Sequence, residues 1–301
     1  MARKSKAACA LEYAALRAAC AFVNAVPYSA ACAAARFAAR IACGPLRYQR
    51  KRTLARILAA FPGLTEEEAL RIARLSLENV FQTAVEMIRA PRLTKRWLEE
   101  HVEDAALYAE RLKEIVSAGR GAVIMVPHCG NWYMAAWTMA RFGIPLVAVA
   151  ARQRNPLIDA WLGRQYGEDT KILARGSAAA MRNVLAMIRG GRAFAILPDL
   201  RSPRRDTEVP FLNGIANVSR GGAMFAVSAG APVVVAVMRR TGGRHQFDHL
   251  ATIEPDPSAP DRREEARRIT REAMRLIDEA VRKTPEQWFW YNKRWILQPV
   301  D

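Results

Sequence analysis

The segment that best indicates both the fold class and the candidate site is Ala122-Val123-Ile124-Met125-Val126-Pro127-His128-Cys129-Gly130-Asn131-Trp132-Tyr133. Its first five residues form an uninterrupted apolar run, which is typical of a strand buried on both faces of a sheet. A helical pattern follows from Trp132 to Phe142. In open α/β sheets, ligand sites form at the carboxyl ends of strands, close to helix N-termini. His128 is therefore the first candidate for a catalytic residue.

The alternation of apolar runs and helical patterns after residue 121 predicts the fold class. The apolar runs are 122–127, 146–150, 193–197 and 232–238, and the helical patterns are 132–142, 156–166, 177–189 and 219–229. This order predicts an α/β fold with a mostly parallel sheet flanked by helices. Residues 246–253 are a further candidate strand, and residues 261–283 a charged helix.

The chain before residue 121 is predicted to be helical. Thr65 precedes three glutamates, which predicts a capped helix start, and that helix runs to about Arg89 before Pro91. A second helix ends near Ser117. The compositional boundary falls near residue 120, and we predict an N-terminal helical segment, 1–60, followed by a domain, 61–301, that is helical to about residue 120 and α/β thereafter.

The formal net charge is +17, from 46 Lys and Arg against 29 Asp and Glu. Such a surplus favours an anionic partner, such as nucleic acid, a phospholipid surface or an acidic carrier protein. No zinc-ligand spacing, RNP-like motif or leucine zipper is present, so nucleic acid is not expected. The five cysteines form no CxxC pair and are interpreted as small apolar residues, and no metal site is expected.

The first 60 residues are rich in alanine and basic side chains. Residues 18–35 carry no charge, but Asn24 and Pro27 interrupt them, so the stretch is marginal for a membrane-spanning helix. The flanking Arg and Lys residues favour a helix or helical hairpin lying at an anionic membrane surface. An amphipathic helix packed on the domain is the alternative.

The motif around His128 resembles the His-x-Gly-Asn-Trp-Glu motif of the lipid A biosynthesis (lauroyl/myristoyl) acyltransferases, within the lysophospholipid acyltransferase superfamily. Further segments resemble this family in the same order, and the likeness spans roughly residues 60 to 297. They are 151–159, 197–200, 209–216, 230–235 and 285–290.

The resemblance implies a glycerolipid acyltransferase-like fold with a membrane-associated N-terminal segment. It implies transfer of a fatty acyl chain from acyl carrier protein or coenzyme A to a hydroxyl of an anionic glycolipid or a lysolipid. The enzyme would act at the cytoplasmic face of the inner membrane, held peripherally or by one N-terminal anchor. No cofactor and no metal are implied.

The resemblance implies that His128 is the general base. The family has a carboxylate five residues later, where this chain has Tyr133. Three explanations are open. Another carboxylate, Asp199 or Glu86, takes that place; or His128 acts alone or with Tyr133; or the chain is a catalytically silent lipid-binding member of the family.

The resemblance also suggests substrate-binding residues. Asn131 and the backbone amides near Gly130 are candidates to support the site or to hold an oxyanion. Arg152, Arg164 and Arg201 are candidates to bind phosphate or carboxylate groups, which suit the planar guanidinium. Two interpretations apply to the tryptophans that follow, which are Trp288, Trp290 and Trp295: contact with a membrane interface, or core packing.

Overall fold

A computed structural model of the chain describes residues 5–117, 119–150, 152–166, 170–174 and 178–298. In these ranges the helices are α1 (Lys6–Ala25), α2 (Tyr28–Cys43), α3 (Arg50–Ala60), α4 (Glu66–Arg89), α5 (Lys95–His101), α6 (Ala105–Ser117), α7 (Trp132–Arg141), α8 (Pro156–Gln165), α9 (Ala178–Arg189), α10 (Gly221–Ala229) and α11 (Arg262–Lys283). The strands are β1 (Val102–Glu103), β2 (Ala122–Met125), β3 (Leu146–Ala150), β4 (Thr170–Ala174), β5 (Ala193–Ile196), β6 (Thr207–Phe211), β7 (Gly214–Val218), β8 (Val233–Thr241) and β9 (Arg244–Ile253). Two short 3-10 helices span Ala90–Arg92 and Pro285–Gln287.

The main sheet of the described chain has seven strands in the order β1-β9-β8-β2-β5-β3-β4. The pairs from β8 through β2, β5 and β3 to β4 are all parallel, and β9 runs antiparallel to β8. The carboxyl ends of β8, β2, β5 and β3 therefore share one edge of the sheet, as parallel pairing requires. The prediction of a mostly parallel α/β sheet is confirmed.

Helices cover both faces of this sheet. Alternate residues of β2 point to opposite faces, as the pleat of a strand dictates. Val123 and Met125 pack in a core shared with α4, α10 and α11, whereas Ala122 and Ile124 pack in a core shared with α6 and α7. This double burial explains why β2 is apolar without interruption.

The helix starts that were predicted from local sequence signals are confirmed by the structure. Thr65 caps α4 in a capping box with Glu68, and α11 starts after its cap Asp261. Several features were not predicted, among them the strand β4 and the antiparallel hairpin of β6 and β7. The hairpin turns at Leu212-Asn213, between the paired residues Phe211 and Gly214, and Leu212 adopts φ +50°.

The N-terminal helices pack on α4 and leave large apolar side chains exposed. Val23 of α1 and Cys32 of α2 form a small core with Val85 of α4. Leu11 and Phe22 of α1 are 74% and 55% exposed, and Phe37 of α2 is 64% exposed. Within the described ranges, no helix has both the length and the apolar character needed to cross a membrane.

Candidate active site

His128 and Asp199 meet at the shared carboxyl edge of β2 and β5. His128 follows β2 and Asp199 follows β5, and these two strands are paired in parallel. The Nδ1 atom of His128 lies 2.8 Å from Oδ1 of Asp199. The backbone N–H of His128 donates to Oδ2 of the same carboxylate at 2.7 Å. The carboxylate therefore holds both the ring and the backbone of the histidine.

The environment keeps Asp199 ionised. Its side chain is fully buried, and the indole N–H of Trp288 donates to Oδ2 at 2.8 Å. Burial alone would raise the pKa of Asp199, but the nearby imidazole and the hydrogen bonds from His128 and Trp288 lower it below its usual value. Because a carboxylate only accepts hydrogen bonds, Nδ1 carries the proton and Nε2 of a neutral ring is free to accept one. The His128 side chain is 16% exposed.

The C-terminal segment after α11 closes the site. The backbone N–H of Phe289 donates to the His128 carbonyl at 2.9 Å. A narrow cavity of about 10 Å3 lies beside His128, and its lining includes Asp199, Trp288, Phe289 and Arg294. Trp288 was missed as a site residue because its partner is 89 positions away in the sequence.

Trp288 and Trp290 are buried in the core, so the membrane-interface interpretation is wrong for these two residues. Arg56 of α3 holds this segment from the other side. Its guanidinium donates to the carbonyls of Trp290 at 3.0 Å and Asn292 at 2.7 Å, and burial lowers its pKa to about 10. The guanidinium also lies 4.8 Å from the ring centroid of Trp295.

The turn after His128 requires glycine. Gly130 has φ +59°, and a Cβ there would lie 1.8 Å from the Met238 carbonyl oxygen. Its N–H donates to the Gln287 carbonyl and that of Asn131 to the Met238 carbonyl, each at 3.0 Å. The amides of Gly130 and Asn131 are therefore already paired, which corrects the prediction that they hold an oxyanion.

Asn131 is the N-cap of α7, which agrees with a role in supporting the site, while its contact with substrate stays a prediction. Its side chain is buried, and Oδ1 accepts from the N–H groups of Tyr133 and Met134 at 3.0 Å each. Its amide nitrogen donates to Glu86. Asparagine directly before a helix is a common N-cap, so a signal for this role was present in the sequence.

Glu86, the other candidate carboxylate, belongs to a separate buried cluster. It accepts from Arg240 through both Nη atoms at 2.6 Å, from the Tyr28 hydroxyl at 2.6 Å, and lies 3.0 Å from Nε2 of His245. Burial would raise its pKa, but Arg240 and His245 lower it far below the usual range. Among the described contacts, none joins Glu86 to His128.

Tyr133 lies in an aromatic cluster on α7 and not against the imidazole. Its ring centroid is 5.3 Å from that of Trp132, 5.8 Å from that of Trp137 and 6.0 Å from that of Tyr166. Its hydroxyl and that of Tyr166 are hydrogen-bonded, which together with burial raises the pKa of Tyr166. Among the described hydrogen bonds, none joins Tyr133 to His128. The structure therefore does not support the predicted pairing of the two side chains.

The chain matches the family of bacterial lipid A biosynthesis acyltransferases over residues 1–296. It belongs to that family. A phosphatidylinositol mannoside acyltransferase of Mycolicibacterium smegmatis is 26% identical over 280 residues, which cover 89% of this chain and 85% of that protein. A phosphatidylinositol mannoside acyltransferase of Mycobacterium tuberculosis is 25% identical over 189 residues, 62% of this chain and 59% of that protein. The family resemblance read from the motifs is confirmed, and the protein is an acyltransferase.

The predicted substrate arginines of this acyltransferase are dispersed. Arg152 is exposed after β3, whose carboxyl end shares the edge that carries His128, and Arg164 is exposed in the last turn of α8. Arg201 follows Asp199, forms a backbone bridge with Val218, and its carbonyl accepts from the Arg294 guanidinium. Ala151, which precedes Arg152 in the motif, lies outside the described residues.

Two neighbouring residues of the acyltransferase motifs have structural roles. Asn155 caps α8, and its amide nitrogen donates to the Cys9 carbonyl at 2.8 Å and to the Glu12 carboxylate at 3.0 Å, which fastens α1 to this side of the site. Cys129 is buried, and burial raises the pKa of its thiol to about 12. Such a thiol carries almost no thiolate at neutral pH, so Cys129 is not a nucleophile.

Proposed function

We propose that this acyltransferase moves a fatty acyl chain from the thioester of acyl carrier protein or coenzyme A to a hydroxyl of an anionic glycolipid at a membrane surface. The observation that carries the proposal is the contact of 2.8 Å between Nδ1 of His128 and Oδ1 of Asp199. Asp199 thus supplies the carboxylate that the family motif has at the position of Tyr133. The partial exposure of His128 gives an acceptor hydroxyl access to the ring.

In the proposed reaction, Nε2 of His128 takes the proton of the acceptor hydroxyl while the oxygen attacks the thioester carbonyl. The C–O bond forms and the C–S bond breaks, and the proton on Nε2 passes to the leaving thiolate. Asp199 keeps the proton on Nδ1 and stabilises the transient imidazolium, as the carboxylate of a serine-protease triad does. The products are an ester and a free thiol, and no cofactor or metal takes part.

The anionic character of donor and acceptor fits the formal charge of +17. Acyl carrier proteins are acidic, and coenzyme A carries phosphates, so a basic surface attracts either donor. Two relatives are named phosphatidylinositol mannoside acyltransferases, which favours a glycosylated phospholipid acceptor over a simple lysolipid. In this proposal Arg152, Arg164 and Arg201 bind the phosphate or carboxylate groups of these substrates.

The exposed apolar side chains of α1 and α2 support docking on the membrane. Leu11 and Phe22 are 11 positions apart in α1, so they lie on one face of the helix, and Phe37 and Ile41 are one turn apart in α2. Basic residues flank both helices. We therefore propose that residues 1–60 anchor the enzyme at the cytoplasmic face of the inner membrane, and that residues 61–301 form the acyltransferase domain.

The test is acyl transfer by the purified chain in mixed micelles with anionic glycolipid, offered acyl carrier protein and coenzyme A donors. Lipid products are identified by mass spectrometry, and His128→Ala is assayed in parallel. Ester product that disappears in the variant supports the proposal. If no donor and acceptor in a broad panel yields product although the chain still binds lipid, the result would favour a catalytically silent lipid-binding protein instead.

A further inference from the structure

A second cavity, of about 330 Å3, lies at the same edge of the sheet as His128 but outside the catalytic site. It is placed there by β8, which runs parallel to β2 and ends at Thr241. Its wall includes Arg36 of α2, Arg240 of β8 and Arg244 of β9, together with His101 at the end of α5. Four separate elements therefore bring cationic or basic groups to one cavity.

The positive charge of this cavity is only partly balanced. The Arg240 charge is neutralised by Glu86, which lies beneath it and is fully buried. Arg36 donates to the neutral Gln82 side chain at 3.1 Å, and Arg244 lies 3.5 Å from the Glu99 carbonyl. Among the described salt bridges, none involves Arg36 or Arg244. The lining residues of the described cavity include no carboxylate.

Several helix arginines elsewhere in the described chain are paired with carboxylates. Arg275 of α11, for example, contacts Glu272 at 2.7 Å and Glu279 at 2.6 Å. Other surface arginines, such as Arg262 and Arg263, also lack a described salt bridge, but Arg36 and Arg244 line one concave space that contains no carboxylate. Guanidinium groups bind phosphate oxygens through paired hydrogen bonds, so the complementary ligand is a phosphate.

The position of the cavity indicates where that phosphate comes from. Arg36 faces the cavity, and the next residue, Phe37, is 64% exposed about 100° further round α2. The cavity therefore opens beside the apolar face that is proposed to meet the membrane. If Arg36 and Arg244 bind the phosphate of a phospholipid, the acyl chains of that lipid would lie beside Phe37 and Ile41.

We propose that this cavity binds the phosphate headgroup of an anionic phospholipid of the bilayer, which orients the enzyme and is not consumed. The inference rests on the proposed membrane docking. It assigns to Arg36 and Arg244 a role that is separate from binding of the acyl donor or the acceptor at His128.

The test compares two double variants of the full chain that remove the same charge. Arg36→Gln with Arg244→Gln alters the cavity. Arg262→Gln with Arg263→Gln alters two exposed arginines at the start of α11, which follows the end of β9 at the opposite edge of the sheet. Binding is measured to phosphatidylcholine vesicles with and without phosphatidylglycerol, and glycerol 3-phosphate serves as a soluble probe in thermal unfolding.

We expect the cavity variant to lose about tenfold or more of the preference for phosphatidylglycerol, since each basic residue at a lipid surface contributes about 1 kcal/mol. The control should keep most of it. Glycerol 3-phosphate should raise the Tm of the parent and of the control but not that of the cavity variant. If the cavity variant folds poorly, the single exposed substitution Arg244→Gln replaces it.

Equal losses in the two double variants would overturn the inference, because the binding would then depend on net charge alone. The inference would also be overturned if the cavity variant had a raised KM for acyl-coenzyme A and an intact lipid preference. The cavity would then bind the phosphates of the acyl donor. The proposed function fails separately: it fails if the parent transfers no acyl chain in detergent micelles, whether or not the cavity selects phosphatidylglycerol.

Discussion

The molecule contains two buried carboxylate–histidine pairs that differ in what surrounds them. In one, Asp199 contacts His128 at 2.8 Å, and the other ring nitrogen of a partly exposed histidine faces the site. In the other, Glu86 contacts His245 at 3.0 Å, and the histidine side chain is only 2% exposed. The distances are similar, so the geometry of the pair does not distinguish a catalytic base from a structural one.

The difference lies in charge balance and access. Glu86 is matched by Arg240, and it also accepts from Tyr28 and Asn131, which ties α2 and α7 to the sheet. Asp199 has no arginine among its described partners, so the histidine is its main source of compensating charge. A carboxylate in this position gains most when the imidazole becomes charged, which is the requirement for a general base.

The largest expected effect is that of Asp199→Asn on catalysis. The amide removes the negative charge and leaves Nδ1 facing a group that also donates, so kcat should fall by about 1000-fold or more. KM and Tm should change little by comparison. The measurement is steady-state acyl transfer with thermal unfolding of the same preparation, and retention of most of the parent kcat would contradict the proposed role.

The same charge removal at Glu86 should act on stability. Glu86→Gln leaves Arg240 buried without its counter-charge, which is expected to cost about 3–5 kcal/mol. Urea unfolding measures this loss, and kcat per folded molecule should change little. A variant as stable as the parent but with kcat reduced as strongly as in Asp199→Asn would reverse the assignment of the two pairs.

The two pairs also predict how stability depends on pH. Burial raises the pKa of both carboxyl groups, but the cations and donors around them lower it by more, so both are depressed relative to the unfolded chain. Their contribution is complete above the unfolded pKa of about 4 and is lost as the pH falls from there toward the folded pKa. Tm should therefore drop on acidification below about pH 4, and less steeply in Glu86→Gln; an equally steep drop would contradict this account.

Trp288→Phe is expected to have a moderate effect, because it removes the hydrogen bond to Asp199 together with part of a buried ring. With the indole donor lost, the pKa of Asp199 should rise and kcat should fall about tenfold. Trp290→Phe is the matched control, since that buried indole donates to the Pro285 carbonyl at 2.7 Å instead. Equal changes in kcat for the two variants would show that the effect is one of packing alone.

Tyr133→Phe should have the smallest effect. It removes the hydroxyl that pairs with Tyr166, so a loss of about 1 kcal/mol in unfolding free energy is expected. The value of kcat should stay near that of the parent, because Asp199 already occupies Nδ1 of His128. A large fall in kcat with stability preserved would instead support a catalytic role for the Tyr133 hydroxyl.

Much of this fold was predictable because its signals are local. The apolar run of β2 and the cap at Thr65 report structure within a few residues, and both predictions agree with the observed elements. The position of His128 at a strand end was equally local. The hairpin of β6 and β7 was missed because its turn, Leu212-Asn213, places leucine at a position with positive φ, where glycine or asparagine is usual, and because the segment was interpreted only as a family motif.

The choice between Asp199 and Glu86 was not predictable, because it depends on the order of strands in the sheet. A sequence places Asp199 at a strand end but does not tell which strand lies beside β2. The same limit applies to Trp288, which reaches Asp199 only through the path of the C-terminal segment. Asn131 is the opposite case: its capping signal was local, and the functional interpretation was preferred to it.

The hydrogen bonds from Arg56 to the C-terminal segment have a consequence for how the protein folds during synthesis. During synthesis, His128 and Asp199 leave the ribosome well before Trp288, and the carbonyls that Arg56 binds leave later still. The surroundings of the pair are therefore completed only when residues 288–292 have emerged and packed against α3. A chain truncated or stalled before Asn292 lacks this closure, so the proposed catalytic pair stays unfinished until that segment has been made.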